Sequence, residues 1–419
     1  MPSSSLQLGQ ADEEMLAGGS GPAVACAMRM ITKVAQMLGA TELVSVSSAH
    51  IDGCLYHGDS GVLFAEKLAQ TGVRVCVPTT LNVGALDLLH EGVTRLDASA
   101  TAMATRMANA YVAMGCRQTW TCAPYQAGHR PKAGEDVAWG ESNAVAFCNS
   151  VLGARTNRYG DFLDICAALT GRVPRTGLHI PANRLATVLV DATKLPRDFL
   201  RSDVAYPIIG SWLGRTIGTR IAALEGLEDP TEDRLKALGA AAASSGSVGL
   251  FHVVGTTPEA KDRDRAFGGR APEEVIILEM SVLDDVRARL STVTLQNGAP
   301  LDAVAIGSPH LSAEELRQLA ALLGTSQCRV PLYACTSRRS LESVRDQGIE
   351  ARLRDRGVTL VTDTCIVVTP ILVPKNGVLL TNSAKFAHYT PANTGYEVVF
   401  GSLDSCVASA ISGRLTLGT

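Results

Sequence analysis

Three cysteines in this chain stand among polar, chemistry-capable neighbours: Cys54 in SAHIDGCLYHGD (48–59), Cys122 in TWTCAPY (119–125) and Cys365 in TDTC (362–365). Thiolates are soft ligands that suit zinc or iron–sulfur groups. No CxxC occurs anywhere, so spacing alone leaves a metal site and a buried-thiol role both open for them. Cys26, Cys76, Cys148 and Cys166 lie in apolar helix or strand patterns, where free cysteine behaves as a small hydrophobe. Cys335 and Cys406 are weaker candidates, since a nucleophilic thiol needs an activating base and no G-x-S-x-G elbow is present.

Acid–base and hydrogen-bonding side chains concentrate in the same places. His50, Asp52 and His57 share the first cysteine segment. PTTLN (78–82), WGESN (139–143) and the turn TNSAK (381–385) add further polar groups, the last with Lys385 two residues after Ser383. Three titratable groups within eight residues are more than isolated structural histidines require. Gly18-Gly-Ser-Gly21 lacks both the preceding strand of a dinucleotide fingerprint and the Gly-Lys of a phosphate loop, and reads as a helix–helix turn.

Segments so far apart must be brought together by a scaffold, and the scaffold reads as α/β. Apolar residues at helical spacing from Met15 to Leu38 precede a strand Glu42–Ser48, a helix Val62–Thr71 and a strand Val73–Pro78, which make a βαβ unit. Strands at Gly249–Val254, Glu274–Met280, Ala303–Ile306, Val330–Tyr333 and Thr359–Thr362 alternate with helices in a second α/β region. The polar segments then fall at strand ends, where such folds bind ligands. The small-residue stretch Gly239–Gly246 reads as a hinge, giving domains at 1–245, 246–378 and a C-terminal segment 379–419 that returns to the cleft.

Composition excludes several classes. A chain of 419 residues with 46% hydrophobic residues buries a large core without disulfides. The 38 Lys and Arg against 41 Asp and Glu leave no basic excess for nucleic acid, and only 5% of residues are aromatic. No secretory signal or apolar run of membrane-spanning length is seen, so a cytoplasmic protein with free thiols and no membrane partner is expected.

The quoted segments, together with EEMLAGGSGPAVACAM, VCVPTTLNVG, WGESNAVAFCNSVLGARTNRYGDFLDICAALTGR, IGSPHLSAEEL, VTDTCIVV and LTNSAKFAHYTP, resemble the catalytic large domain of the aconitase X family over nearly the whole chain. The resemblance implies a multi-domain, three-layer α/β/α fold with largely parallel sheets. It also implies a hydro-lyase of the aconitase superfamily with an iron–sulfur cluster, [2Fe–2S] first and [3Fe–4S] or [4Fe–4S] as alternatives. The family's activities are dehydration of cis-3-hydroxy-L-proline and of mevalonate 5-phosphate. Where the archaeal, phosphomevalonate type resembles Gly-Cys-Pro-His, this chain has Gly307-Ser308-Pro309-His310. Serine does not replace a thiolate on a soft cluster, so Cys54 is expected to join Cys122 and Cys365 as ligands, and the amino-acid substrate is favoured. By the same resemblance Ser383 and Lys385 form the catalytic turn, either with Ser383 as base and Lys385 lowering its pKa or holding the carboxylate, or with the two roles exchanged. Ser48, His50, Asp52, His57, Thr80, Asn82, Glu141, Ser142, Asn143 and Asn382 bind the small hydroxy-acid substrate, although Thr80 and Ser142 also read as helix N-caps. The family's small swivelling domain is expected on a separate subunit. Two alternatives stand beside this reading: a mevalonate 5-phosphate dehydratase, with Arg158, Arg338 and Arg339 for the phosphate, and a non-catalytic subunit without a cluster.

Overall fold

The structure is a computed structural model that describes residues 6–373 and 376–418. The first region carries β1 (Leu43–Ser45), β2 (Ala49–Ile51), β3 (Thr79–Leu81), β4 (Ala138–Trp139) and β5 (Arg172–Pro174). β1 and β5 pair antiparallel, while β2 lies between β3 and β4 in a parallel sheet whose register aligns His50 with Thr80 and Trp139. The helix Asp59–Ala69 makes the crossover from β2 to β3. The expected strand Glu42–Ser48 is therefore shortened to β1, and β2, which belongs to a different sheet, begins just after it. The expected strand Val73–Pro78 is an extended segment against helix ends: Val75 N–H bonds Met114 O and Cys76 N–H bonds Ala168 O, so no ladder partner is needed. Cys76 is exposed there, not an apolar strand residue.

The second sheet runs β8–β7–β6–β9, built from β6 (Val188–Asp191), β7 (Ala222–Glu225), β8 (His252–Val253) and β9 (Glu274–Ile277), all parallel. The third joins β10 (Ala303–Leu311), β11 (Leu332–Thr336), β12 (Val358–Val361), β13 (Val378–Thr381) and β14 (Glu397–Phe400), again all parallel, in the order β12–β11–β10–β13–β14. β10 is buried at every position, as a central parallel strand covered by helices on both faces must be. A reciprocal cap, Ser312 Oγ accepting from Glu315 N–H and Glu315 Oε2 accepting from Ser312 N–H, starts the next helix immediately after it. Together these layers make an α/β fold of largely parallel sheets in three layers. Among the described residues no helix is long and apolar enough to cross a membrane.

The expected hinge at 239–246 is corrected. Residues 239–245 are the second half of the helix Glu232–Ser245, which connects β7 and β8 within one sheet. Its small residues serve close packing: a Cβ on Gly210 of the facing helix Ala205–Ile217 would stand 2.3 Å from Leu238 O, and one on Gly214 would stand 2.4 Å from Ala242 O. The second sheet thus spans the expected boundary at 245, and the third draws strands from both sides of 378. Gly210→Ala is predicted to lower unfolding free energy by about 3 kcal/mol, the upper range for overpacking, read as a lower denaturant midpoint. An unchanged midpoint would mean that the two helices separate at little cost.

Candidate active site

The C-terminal ends of the first and third sheets meet around a cavity of about 920 Å³ lined by Asp52, Cys122, Glu141, Ser308, Cys365 and Lys385, among others. Parallel strands direct their C-terminal ends the same way, so residues that follow successive strands converge. Asp52 follows β2, Asn82 follows β3 and Glu141 follows β4. Asn82 Nδ2 donates to Asp52 Oδ1 at 2.5 Å and to Glu141 Oε2 at 3.0 Å, tying the three together. From the third sheet, β10 supplies Ser308, the loop after β12 supplies Cys365, and the first turn of the helix Ala384–Thr394 after β13 supplies Lys385.

Charge is sharply divided in this cavity. Lys385 Nζ donates to Glu141 Oε1 at 2.6 Å and also to Asn143 Oδ1. Burial would disfavour both charges, but the pair outweighs it: Glu141 is held down at about 2 and Lys385 above the ordinary lysine range. Asp52 moves the other way, pushed up to about 8 by burial and by the charge of Glu141. Burial also raises Cys122, partly offset by Lys385, and burial together with Cys122 pushes Cys365 up to about 12. Two thiols with raised pKa values thus line one cavity, a donor set suited to a soft, positively charged metal group.

Asp52 makes stability depend on pH. Its native pKa lies above the unfolded value of 3.8, so between about pH 4 and 8 the native state holds a proton that the unfolded chain has lost, and this group subtracts stability as pH rises through that window. Asp52→Asn should therefore raise the melting temperature of the ligand-free protein at about pH 8 more than at about pH 4. An equal shift at both would contradict the assignment.

The expected ligand and binding residues separate into groups. Asp52, His57, Cys122, Glu141, Ser142, Cys365 and Lys385 line the cavity, with His57 exposed at its mouth. Asn143 sits just behind, with Nδ2 donating to Cys122 O at 2.7 Å. Ser48, His50 and Thr80 are linked through His129: Ser48 Oγ to His129 Nε2 at 2.8 Å, His129 Nδ1 to Thr80 Oγ1 at 2.7 Å, and Thr80 Oγ1 to His50 Nδ1 at 2.9 Å. Thr80 lies within β3 and caps no helix, and the cap before Ser142 is the Glu141 side chain. Asn382 and Ser383 line a second, small cavity with Ser308 and Lys385.

Two expectations are corrected. Cys54 does not join the other cysteines: its Sγ is turned into the core, 3.5 Å from Ile51 O and 3.4 Å from Asn82 O, because Asp164 Oδ2 accepts from the N–H groups of Asp52 and Gly53 and holds the loop back. Ser308 lines the cavity with Cys122 and Cys365 instead. Among the described residues, no group of three His, Cys, Asp or Glu is placed to share one metal ion. Ser383 is not poised as a base, since its Oγ donates to Ser308 O and accepts from Phe386 N–H at 3.1 Å as the N-cap of the helix Ala384–Thr394. Asp164, His129 and His310 were not foreseen; each lies in an ordinary helix, loop or strand pattern that carries no local signal.

Family models cover almost all of the chain: aconitase X first domain over residues 5–182, second domain over 186–288 and third domain over 301–412. The second interval encloses the whole β8–β7–β6–β9 sheet. The chain is 42% identical over 413 residues to the cis-3-hydroxy-L-proline dehydratase of Pseudomonas aeruginosa, covering 97% of this chain and 70% of that protein. It is 41% identical over 418 residues to that of Hypocrea jecorina, covering 98% and 69%. The phosphomevalonate dehydratase large subunit of Methanothermobacter thermautotrophicus is 35% identical over 395 residues, 94% of this chain and 96% of that one. The crystal structure of Thermococcus kodakaraensis aconitase X in its holo form superposes with a TM-score of 0.86 at 31% identity, covering 97% and 100%.

Proposed function

The chain belongs to the aconitase X family, and from that premise we propose that it is an iron–sulfur-dependent hydro-lyase that converts cis-3-hydroxy-L-proline to Δ1-pyrroline-2-carboxylate. The relatives at 41–42% identity are named cis-3-hydroxy-L-proline dehydratases. The observation that carries the reading is one cavity that combines a lysine ion-paired with Glu141, a second carboxyl at Asp52 and two thiols.

Lys385, held protonated, takes the substrate carboxylate, and Glu141, held ionised, faces the ring ammonium. Asp52 lines the cavity beside Glu141 with its carboxyl raised well above the usual carboxylate range, and it is assigned as the base for the Cα proton. In the cis isomer the Cα hydrogen and the 3-hydroxyl lie on opposite faces of the ring, so the base and the acceptor of the leaving oxygen must stand on opposite walls. The C3–O bond breaks as the Cα–H electron pair forms the ring double bond, and the resulting enamine tautomerises to the imine. An iron–sulfur group held by Cys122 and Cys365 would supply Lewis acidity toward the departing hydroxyl. Two protein thiolates suit one iron of a [2Fe–2S] group better than a [4Fe–4S] cluster held by three.

A phosphorylated substrate is less well served. Arg338 is spent on Asp363 at 2.7 and 2.6 Å, Arg339 pairs with Glu342 away from the cavity, and only Arg158 of the three lines it. A separate small subunit is proposed as partner, supported by relatives named as large subunits that this chain covers over 96–100% of their length. Co-expressed with such a subunit and assayed on both substrates, the protein should dehydrate cis-3-hydroxy-L-proline and leave mevalonate 5-phosphate unchanged. The reverse preference would overturn the substrate assignment.

A further inference from the structure

His310 is fully buried between the two cysteine loops and touches both. Its Nδ1 lies 3.0 Å from the hydroxyl of Thr121, the residue before Cys122, and its Nε2 lies 3.1 Å from the carbonyl of Thr364, the residue before Cys365. A carbonyl only accepts, so Nε2 carries the ring proton and Nδ1 accepts from Thr121 Oγ1. Thr121 Oγ1 is in turn oriented by the Ala123 N–H at 3.1 Å. The backbone of His310 adds a third link, its N–H donating to Cys122 Sγ at 3.4 Å. The residue's own position is fixed from behind, where the buried Lys236 donates to His310 O at 3.3 Å while paired with Asp233 and Glu315.

We propose that His310 is a positioning residue that clamps the Cys122 and Cys365 loops at one separation and thereby retains the metal group they share. The two loops come from different sheets, one preceding β4 and one following β12, and no covalent link sets their spacing. A ring bonded to the residue before each cysteine fixes that spacing through two short bonds of defined direction. Residues that orient metal ligands in this way typically govern metal affinity by about 10- to 100-fold. This rests on Cys122 and Cys365 being the ligands.

The test compares the wild type with His310→Ala, Thr121→Val and the double variant, all reconstituted anaerobically with iron and sulfide. Each is followed for iron per chain and for the rate at which a chelator bleaches the visible absorbance. Circular dichroism of the metal-free proteins checks folding. His310→Ala should bleach about 10- to 100-fold faster. Thr121→Val, which removes one arm and keeps the ring, should fall between, and in the double variant it should add nothing. Should His310→Ala fail to fold, Thr121→Val alone decides. Wild-type bleaching rates in the folded variants, or additive effects, would overturn the clamp. A wild type that takes up no cluster would overturn the iron–sulfur reading and the clamp with it.

Discussion

Replacing Cys365 with serine is expected to remove both the visible absorbance and the dehydratase activity, the latter by about a thousandfold, the rate equivalent of about 4 kcal/mol of lost Lewis-acid assistance. The reason lies in the donor count. Cys122 and Cys365 are the cysteines that line the cavity, Ser308 already occupies a third wall with a hard oxygen, and Cys54 faces the core. One further thiol-to-hydroxyl change leaves a single soft donor, which does not hold a cluster. Cys54→Ser makes the opposite case: it should leave iron per chain and absorbance at wild-type levels, because its sulfur bonds only backbone carbonyls. Iron analysis and absorbance of the two variants side by side check the pair of outcomes.

Lys385→Met should have the second large effect, in two separable parts. Removing the ammonium leaves Glu141 buried without its partner, and breaking a buried ion pair from one side costs about 3–5 kcal/mol of stability. Adding Glu141→Gln removes the stranded charge, so the double variant should recover most of the lost denaturant midpoint. Catalysis should not recover with it. With the carboxylate-binding ammonium gone, kcat/KM for cis-3-hydroxy-L-proline should fall by about 100-fold or more, since a hydrogen-bonded charge pair with substrate is worth about 3 kcal/mol. A double variant that regains both stability and activity would show that Lys385 serves the fold alone.

How far the residues announced this site depends on what each one does. Asp52, Glu141, Cys122, Cys365 and Lys385 were legible because they sit in polar segments at the ends of parallel strands, and their placement follows from topology. The direction of a side chain within such a segment was not. Cys54 and Ser383 share those segments, yet a buried carboxylate at Asp164 draws one inward and a helix N-cap consumes the other. The same limit governs the stretch 239–246, whose small residues suit a hinge and a close helix pair equally well until Gly210 and Gly214 are seen opposite. His310 stood in view as part of a motif notable for its serine. Its link between the two cysteine loops depends on contacts across nearly 190 residues of sequence, which no local pattern encodes.

Substrate and metal group must meet in this cavity, and one titration tests that directly. Adding cis-3-hydroxy-L-proline to the anaerobic, iron-loaded protein should produce a saturable change in its visible absorbance. Lys385→Met/Glu141→Gln should need a much higher concentration for the same change, and mevalonate 5-phosphate should produce none. A spectrum indifferent to saturating cis-3-hydroxy-L-proline, in protein that dehydrates it, would contradict the proposal that Cys122, Cys365 and Lys385 form one active site.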